Sequence, residues 1–310
     1  MKILTPFPVT DSTLTSINIT EDDYAEWDQS TSYDRGDFVI STATHTVYRS
    51  LTDSNLDNDP DVEVAALADP LIDDPDPVNW QVISATNRWK LFDQKPSRLA
   101  TNSGSIEIEL TPEVFIGGVA GFGLSADDVR VEVYADAEKI YDRSEDLLDE
   151  SAVTDWLAYF TEPYRPLTEF VFSDLPVLAI PRIVVTLTST STVSAGQIIF
   201  GRLDEMGVAT QDTRFSGLDY SYVEVDEYGD LTSVQRPATR LFDINTVVPR
   251  ENLFSIVQIF NRLRGGIPAV WIADENSRIA AIGYGFYRGY REVYLGPDHA
   301  EIAIEVQGVV

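Results

Sequence analysis

The sequence predicts a mainly β, multi-domain protein, and three observations carry this prediction. Short segments alternate apolar and polar residues, as in residues 105–110, where every second side chain is Ile or Leu and the others are Ser or Glu. Only residues 250–264 have the spacing of an amphipathic helix. The length of 310 residues exceeds one ordinary domain. We therefore expect a small three-stranded β domain, a jelly-roll-like β-sandwich and an α+β domain.

Turn-rich points divide the chain into residues 1–95, 96–207 and 208–310. The first block carries 18 acids and 6 bases, the second 19 and 7, and the last 14 and 9, so the last third is the least acidic. The first block opens with a Thr-rich arm over residues 1–20. This arm has too little apolar content for a core of its own, so we expect it to pair with a neighbouring chain.

The element predictions follow the chain. In the first block, strands are expected at 37–41 and 46–51, followed by a long loop at 53–76 that includes a helical turn at 62–68. In the second block, strands are expected at 105–110, 129–134, 182–189 and 197–200. Residues 141–159 are acidic and polar, which predicts an excursion from the sheet with a short helix at 151–159.

The last block has a different pattern. Residues 218–225 and 231–235 flank Asp226-Glu-Tyr-Gly-Asp, a hairpin signal. The amphipathic helix at 250–264 ends at Gly265-Gly266 with Arg262 and Arg264 in its last turn. Strands are expected at 269–273, 278–284, 288–295 and 301–307, with a glycine-kinked hairpin around 282–289.

Composition excludes several functions. The net charge of −29 repels phosphate backbones and anionic lipids, so we expect no nucleic-acid partner and no membrane insertion. The chain has no cysteine, which removes disulfides, thiolate metal sites and a cysteine nucleophile. The apolar run before Pro6 is too short for a signal peptide, and we expect folding in a cytoplasm.

Enzyme motifs are missing from the sequence. There is no G-x-S-x-G, H-E-x-x-H or phosphate-binding G-x-x-x-x-G-K motif. The two histidines, His45 and His299, lie in predicted surface turns. We therefore expect no enzymatic activity and name no catalytic residue.

One acidic segment raises the question of a metal. Nine acids and no Lys or Arg lie between residues 53 and 76, and Asp57, Asp59 and Asp61 present carboxylates at alternate positions. Calcium loops use such spacing, but the central glycine and distal glutamate of an EF-hand are missing. The alternatives are a weak Ca²⁺ site at these three aspartates and a solvated loop. No other cofactor is expected.

The first block also carries an aromatic constellation. Trp27, Tyr33-x-x-Gly-Asp-x-Val39, Val47-Tyr48, Asn55 and Trp80 occur in a pattern that resembles the small type 5/12 carbohydrate-binding modules of chitinases and cellulases, over residues 24–83. The resemblance implies a compact three-stranded sheet and sugar binding through exposed aromatic rings, with Trp27, Tyr33 and Tyr48 as candidates. The alternative is that these rings form the core with Trp80, and the module is a spacer.

The run Asn87-Arg-Trp-x-x-Phe-Asp93 follows this module directly. Both the run and the module order resemble bacteriophage tail and baseplate proteins, with a galactose-binding-like jelly roll next and an α+β module last. The resemblance implies a structural protein of the virion tail, in the tail tip, baseplate or fibre attachment. Its partners would be other tail proteins, copies of itself and host-surface glycan. The alternative is a secreted or virion-borne protein that binds or degrades glycan.

Overall fold

The structure of this chain is a computed structural model, and it describes residues 1–67, 78–149, 155–161, 165–225, 228–236, 238–274 and 281–309. The predicted mainly β class is confirmed. The strands are β1 (Lys2–Pro6), β2 (Leu14–Ile17), β3 (Phe38–Ser41), β4 (Thr46–Ser50), β5 (Trp80–Ala85), β6 (Ala100–Leu110), β7 (Gly118–Phe122), β8 (Asp128–Ala135), β9 (Glu138–Asp146), β10 (Glu169–Phe172), β11 (Arg182–Ala195), β12 (Gln197–Glu205), β13 (Val208–Ala209), β14 (Arg214–Asp219), β15 (Tyr222–Val225), β16 (Leu231–Val234), β17 (Ala238–Pro249), β18 (Ala269–Ile272), β19 (Ile282–Tyr294) and β20 (His299–Gly308). The helices are α1 (Pro60–Leu67), α2 (Trp156–Thr161) and α3 (Leu253–Arg262).

Two sheets form the predicted β-sandwich. A five-stranded sheet has the order β2-β6-β11-β8-β9, and the strands β10, β7 and β12 form one end of a ten-stranded sheet. The two share one buried apolar core, in which Ile108 and Val185 of the first sheet join Phe172 and Phe200 of the second. The alternating pattern of residues 105–110 and 129–134 therefore also predicted which face β6 and β8 bury, whereas β7 and β10 were not predicted.

The ten-stranded sheet takes strands from all three sequence blocks. Its order is β10-β7-β12-β1-β18-β19-β20-β17-β13, with β14 also pairing with β17. The first strand of the Thr-rich arm has no free edge for a neighbouring chain, whereas β2 is the edge strand of the five-stranded sheet, so pairing of the arm with a neighbouring chain stays a prediction. β1 is hydrogen-bonded on both edges inside its own chain, between β12 and β18, and β2 pairs with β6. Ile3 and Leu4 are fully buried there, so the arm joins existing cores instead of building one.

Helix α3 packs on the part of the ten-stranded sheet that is formed by residues 208–310. A 3₁₀ turn at Arg250–Asn252 precedes it, so regular α-helix begins three residues later than predicted. Ile256, Ile259 and Phe260 bury the apolar face of α3 against β17 and β20. The helical spacing of the apolar residues thus correctly predicted which face of α3 is buried.

The glycine-rich segment is one strand, not the predicted hairpin. β19 runs continuously, with a register shift between Tyr287 and Gly289 that marks a bulge. Gly283 is required by close packing, because a Cβ there would lie 2.0 Å from the Phe242 ring. The glycines make room for a neighbouring ring and do not turn the chain.

The predicted excursion at 141–159 is also corrected. Residues up to Asp146 belong to β9, the edge strand of the five-stranded sheet. Its outward charges form ion pairs: Asp142 contacts Arg130 and Lys139 at 2.6 Å each. A charged edge resists pairing with other chains, which explains why a strand looks polar in sequence.

Several predicted features extend beyond the described residues. These are the loop beyond Leu67, the hairpin turn at 226–227, the start of the helix predicted at 151–159 and the start of the strand predicted at 278–284. The helical turn predicted at 62–68 corresponds to α1. In the part of the chain that the structure describes, no helix is long and apolar enough to cross a membrane.

Candidate functional site

The small module, residues 21–86, buries Tyr33, Tyr48 and Trp80. The sheet β3-β4-β5 buries Tyr48 and Trp80 on one face, with exposed fractions of 2% and 0%. Tyr33 packs edge-on against Trp80, with ring centroids 5.4 Å apart, and its hydroxyl accepts a hydrogen bond from the Asp28 backbone. Tyr33 and Tyr48 were predicted to bind glycan. Their ring faces are covered by the core, so neither can stack on a sugar.

Trp27 is the third predicted glycan residue, and it is half-buried. It packs against the same core, and its backbone N–H donates to the Ile40 carbonyl oxygen. The structure therefore collects the three predicted residues around one core and not on one outer face.

The predicted metal ligands are occupied by protein donors. Asp61 accepts hydrogen bonds from the hydroxyls of Ser41, Thr44 and Tyr48. Asp57 accepts one from Gln29, and the Asp59 side chain accepts one from the Asp61 backbone. Among the described residues no group of three or more His, Asp or Glu side chains is arranged to hold a metal ion.

The hydroxyls around Asp61 change its acidity. Burial by itself would raise the pKa of Asp61, but the hydrogen bonds from Ser41, Thr44 and Tyr48 outweigh it, so the pKa is lowered from its usual 3.8. Asp61 therefore works as an internal acceptor that ties α1 to β3 and β4.

Glu63 of α1 has a similar internal role that the sequence did not reveal. One carboxylate oxygen accepts three consecutive backbone N–H groups, from Val78 (2.8 Å), Asn79 (2.7 Å) and Trp80 (3.2 Å). These bonds hold the start of β5 beside the helix. Three converging amides are hard to predict, because the donors are backbone groups 15 to 17 residues away.

His45 lies in a turn, as predicted, but its side chain is partly buried where the arm meets the small module. Its ring nitrogens lie 2.9 Å from an Asp11 oxygen and 3.0 Å from a Glu21 oxygen. The ring also stacks on Trp89, with centroids 4.1 Å apart. This arrangement uses the histidine as a structural connection between three segments. His299, by contrast, is exposed at the start of β20.

The run from Asn87 to Asp93 connects the small module to the sandwich. The Asn87 side chain makes two hydrogen bonds with the backbone of Thr101, one from its amide nitrogen to the carbonyl oxygen at 2.8 Å and one to its oxygen from the N–H at 2.9 Å. Leu91 is fully buried in the sandwich core. The segment therefore packs into the sandwich and hydrogen-bonds to β6 instead of running as an exposed linker.

An exposed aromatic pair lies on the outer surface of the small module. Tyr24 and Phe38 stack with centroids 5.0 Å apart and remain 44% and 37% exposed. In the sheet register Phe38 is opposite Arg49, which is opposite Gln81, and the Arg49 guanidinium donates to the Gln81 side chain at 2.8 Å. Sequence reasoning missed this pair, because the module pattern does not include Tyr24 or Phe38.

The second exposed feature is a two-stranded ribbon, defined here as β15 with β16. All eight of its strand residues are exposed. Residues that pair directly share a face, so Val223, Val225 and Leu231 lie on one side, and their exposed fractions are 59%, 61% and 71%. An isolated ribbon of two strands is marginal in water, and this one has an uncovered apolar side.

Comparisons with protein families, with curated proteins and with solved structures found no match to this chain.

Proposed function

We propose that this chain is a structural component of a phage virion tail, part of the tail tip, the baseplate or the fibre attachment. It has no catalytic role in this proposal, and its partners are other tail proteins and copies of itself. The resemblance of residues 87–93 and of the module order to tail proteins supports this function. The hydrogen-bonded and buried junction at those residues fits it too, since the modules of an assembly protein have to keep their mutual orientation.

The observation that carries the proposal is the exposed ribbon. Monomeric soluble proteins seldom expose contiguous apolar surface without a use for it, and exposed apolar surface of this kind typically marks a protein–protein contact. No part of the described chain covers Val223, Val225 and Leu231. These side chains therefore add little to the stability of an isolated chain. In an assembly protein, such an exposed apolar face can pack against a neighbouring protein.

The test is direct detection in particles. Antibodies raised against the purified chain are applied to gradient-purified virus particles from cells that carry its gene. We expect gold label at one end of the tail and the intact chain among the virion proteins by mass spectrometry. Particles that contain other tail proteins but lack this chain would contradict the proposal.

Glycan binding is a second candidate, favoured by Tyr24 and Phe38. Two exposed rings beside a guanidinium and an amide offer a flat apolar surface with polar neighbours, which suits the face of a sugar ring. Neutral or amino sugars fit best, because the first block carries a net charge of −12 and repels anionic polysaccharides.

The two candidates are separated by titrating the intact chain with neutral and amino-sugar oligomers. If this candidate is correct, Tyr24→Ala combined with Phe38→Ala removes binding. Phe254→Ala is the matched control, because Phe254 is 75% exposed on a different part of the molecule. The absence of any fluorescence change at millimolar ligand would exclude glycan binding and leave the structural role.

A further inference from the structure

The most basic segment of the chain directly follows the small module. Residues 88–98 contain four bases (Arg88, Lys90, Lys95 and Arg98) and one acid, Asp93, whereas the rest of the chain contains 18 bases and 50 acids. Within the described ranges, the ion pairs involve other cations, and none of these four bases takes part in one. Their charges are therefore available to a partner.

Three of these bases surround one carboxylate. One Asp93 oxygen accepts a hydrogen bond from the Lys95 backbone N–H at 2.9 Å, and the other is buried with no hydrogen-bond donor in the described chain. Burial raises the pKa of Asp93 from 3.8, and the charges of Lys95, Arg98 and Lys90 oppose this rise, so all three lie within electrostatic reach of Asp93. A single carboxylate balances one of three cations, which leaves a local excess of positive charge.

A cavity of about 250 Å³ lies where this segment meets the small module. Its apolar lining includes Val82, Trp89 and Phe92, and its charged lining includes Asp93, Lys95 and Arg98. Val82 is 47% exposed, and the Lys95 side chain is also exposed. The Trp89 and Phe92 rings pack edge to face, with centroids 5.7 Å apart. The cavity thus combines an aromatic wall with cations that have no ion-pair partner.

The size and the position of the cavity decide which kind of anion fits. Sites that enclose a whole small ligand typically measure about 300–1,000 Å³, and this cavity is smaller. It suits one apolar side chain of a protein partner, which anchors the contact while flanking acids reach the cations. The cavity also adjoins β5, an edge strand whose outer edge pairs with no strand of the described chain. An extended segment can lie along such an edge.

We propose that this cavity binds an extended acidic segment of another tail protein, with one apolar side chain of the segment against Trp89 and Phe92 and its carboxylates beside Lys95 and Arg98. The inference rests on the proposed structural role and gives the chemistry of one partner. The surplus of 32 acids over bases outside residues 88–98 repels such a segment, so electrostatic attraction directs it to this site.

Selection from a random peptide library tests the chemistry of the occupant. The immobilised full chain selects from displayed seven-residue peptides, and the variant Lys95→Glu with Arg98→Glu is used for counter-selection. The enriched peptides should carry Asp or Glu on both sides of one aromatic or aliphatic residue. No enrichment, or enrichment of peptides without acids, would overturn the inference.

One enriched peptide is then synthesised and titrated against the full chain. Lys95→Glu with Arg98→Glu should weaken its binding by about tenfold or more, because like charges then face each other. Arg264→Glu with Arg288→Glu is the matched control, since it makes the same charge change on exposed residues of the last block. Equal weakening by this control would indicate general repulsion and contradict the specific site.

A milder pair of substitutions separates binding from folding. Lys95→Gln with Arg98→Gln adds no negative charge beside Asp93, so it should keep the melting temperature of the parent and still weaken peptide binding. Parent-like affinity in this variant would contradict the role of the two cations.

The apolar half of the contact is tested at Val82. Val82→Ser should weaken peptide binding by about threefold, because it removes part of the apolar lining. Val293→Ser is the control, since Val293 is 43% exposed on β19, and it should leave the affinity unchanged. Equal affinities of the two variants would contradict an apolar anchor in the cavity.

Inorganic phosphate and glucuronate are titrated in parallel as small anions. If either binds as tightly as the peptide and Lys95→Glu with Arg98→Glu removes that binding, the cavity is a small-anion site and the inference is overturned. The selection and the titrations need only the purified chain, whereas detection in virions tests the structural role. Failure of this site is therefore distinguishable from failure of the proposed function.

Discussion

The small module and the ribbon are both small antiparallel sheets, but the module buries apolar side chains and the ribbon leaves them exposed. The three strands of the small module bury Tyr48 and Trp80 on one face. The two strands of the ribbon leave Val225 and Leu231 exposed. Strand-forming residues occur in both. The difference lies in what covers the sheet.

Helix α1 supplies the cover of the small module. Val64 packs on its core, and Glu63 and Asp61 hold the helix to the sheet through hydrogen bonds to the backbone and to hydroxyls. The ribbon has no such element in the described chain. A sheet therefore becomes a stable module when one face is covered by its own chain, and it becomes a candidate contact when it is not.

The largest expected effect is in the core of the small module. Trp80→Ala should lower the free energy of unfolding by about 3–5 kcal/mol, because the ring is fully buried and leaves a cavity. Thermal unfolding followed by the fluorescence of the remaining tryptophans measures it. A variant that melts like the parent would contradict the covered-core description.

The next largest effect is expected at Glu63, which holds α1 to the start of β5. Glu63→Ala removes the acceptor of three backbone N–H groups and should cost about 1–3 kcal/mol. Glu224→Ala on the ribbon is the matched control, and it should change stability little. Hydrogen exchange at Val78 to Trp80 should speed up only in the first variant. Unchanged exchange there would contradict the anchoring role.

The third prediction concerns pH. The pKa of Asp61 is lowered from 3.8, so its stabilisation is complete above pH 3.8 and is lost as the pH falls through the lower folded value. Asp61→Asn should therefore lose stability relative to the parent at neutral pH, and the gap should narrow below pH 3.8.

Tyr48→Phe removes one of the hydroxyl donors to Asp61 and should weaken that pH dependence. Urea unfolding at a series of pH values measures both variants. A gap between parent and Asp61→Asn that stays constant with pH would contradict the role of the charge.

The smallest effect is expected on the ribbon. Leu231→Ala should change the free energy of unfolding of the single chain by less than about 0.5 kcal/mol, because an exposed side chain loses few contacts. Calorimetry at a dilution where the chain is monomeric is the measurement. A large loss would mean that the apolar side is already covered within the chain, and the comparison of the two sheets would fail.

Local pattern predicted much of the fold. Alternation identified β6, β8 and β11 together with their buried faces, and the spacing of Ile256 and Phe260 identified α3. It failed where polar residues protect an edge, as in β9, and where glycines admit a neighbouring ring, as at Gly283. The structure at β9 and at Gly283 depends on the neighbouring segments in space. The residues of the segment itself do not show which segments those are.

The sequence by itself determined the mainly β class, the absence of disulfides and the concentration of acid in residues 219–235, because composition and period need no partner in space. Only the tertiary structure decided that β1 of the arm lies inside the large sheet, that Tyr33 and Tyr48 are core, and that Tyr24 and Phe38 form an outer pair. An aromatic residue favours a strand whether it faces inward or outward. Its side is fixed by the segments that cover it, and these come from distant parts of the chain.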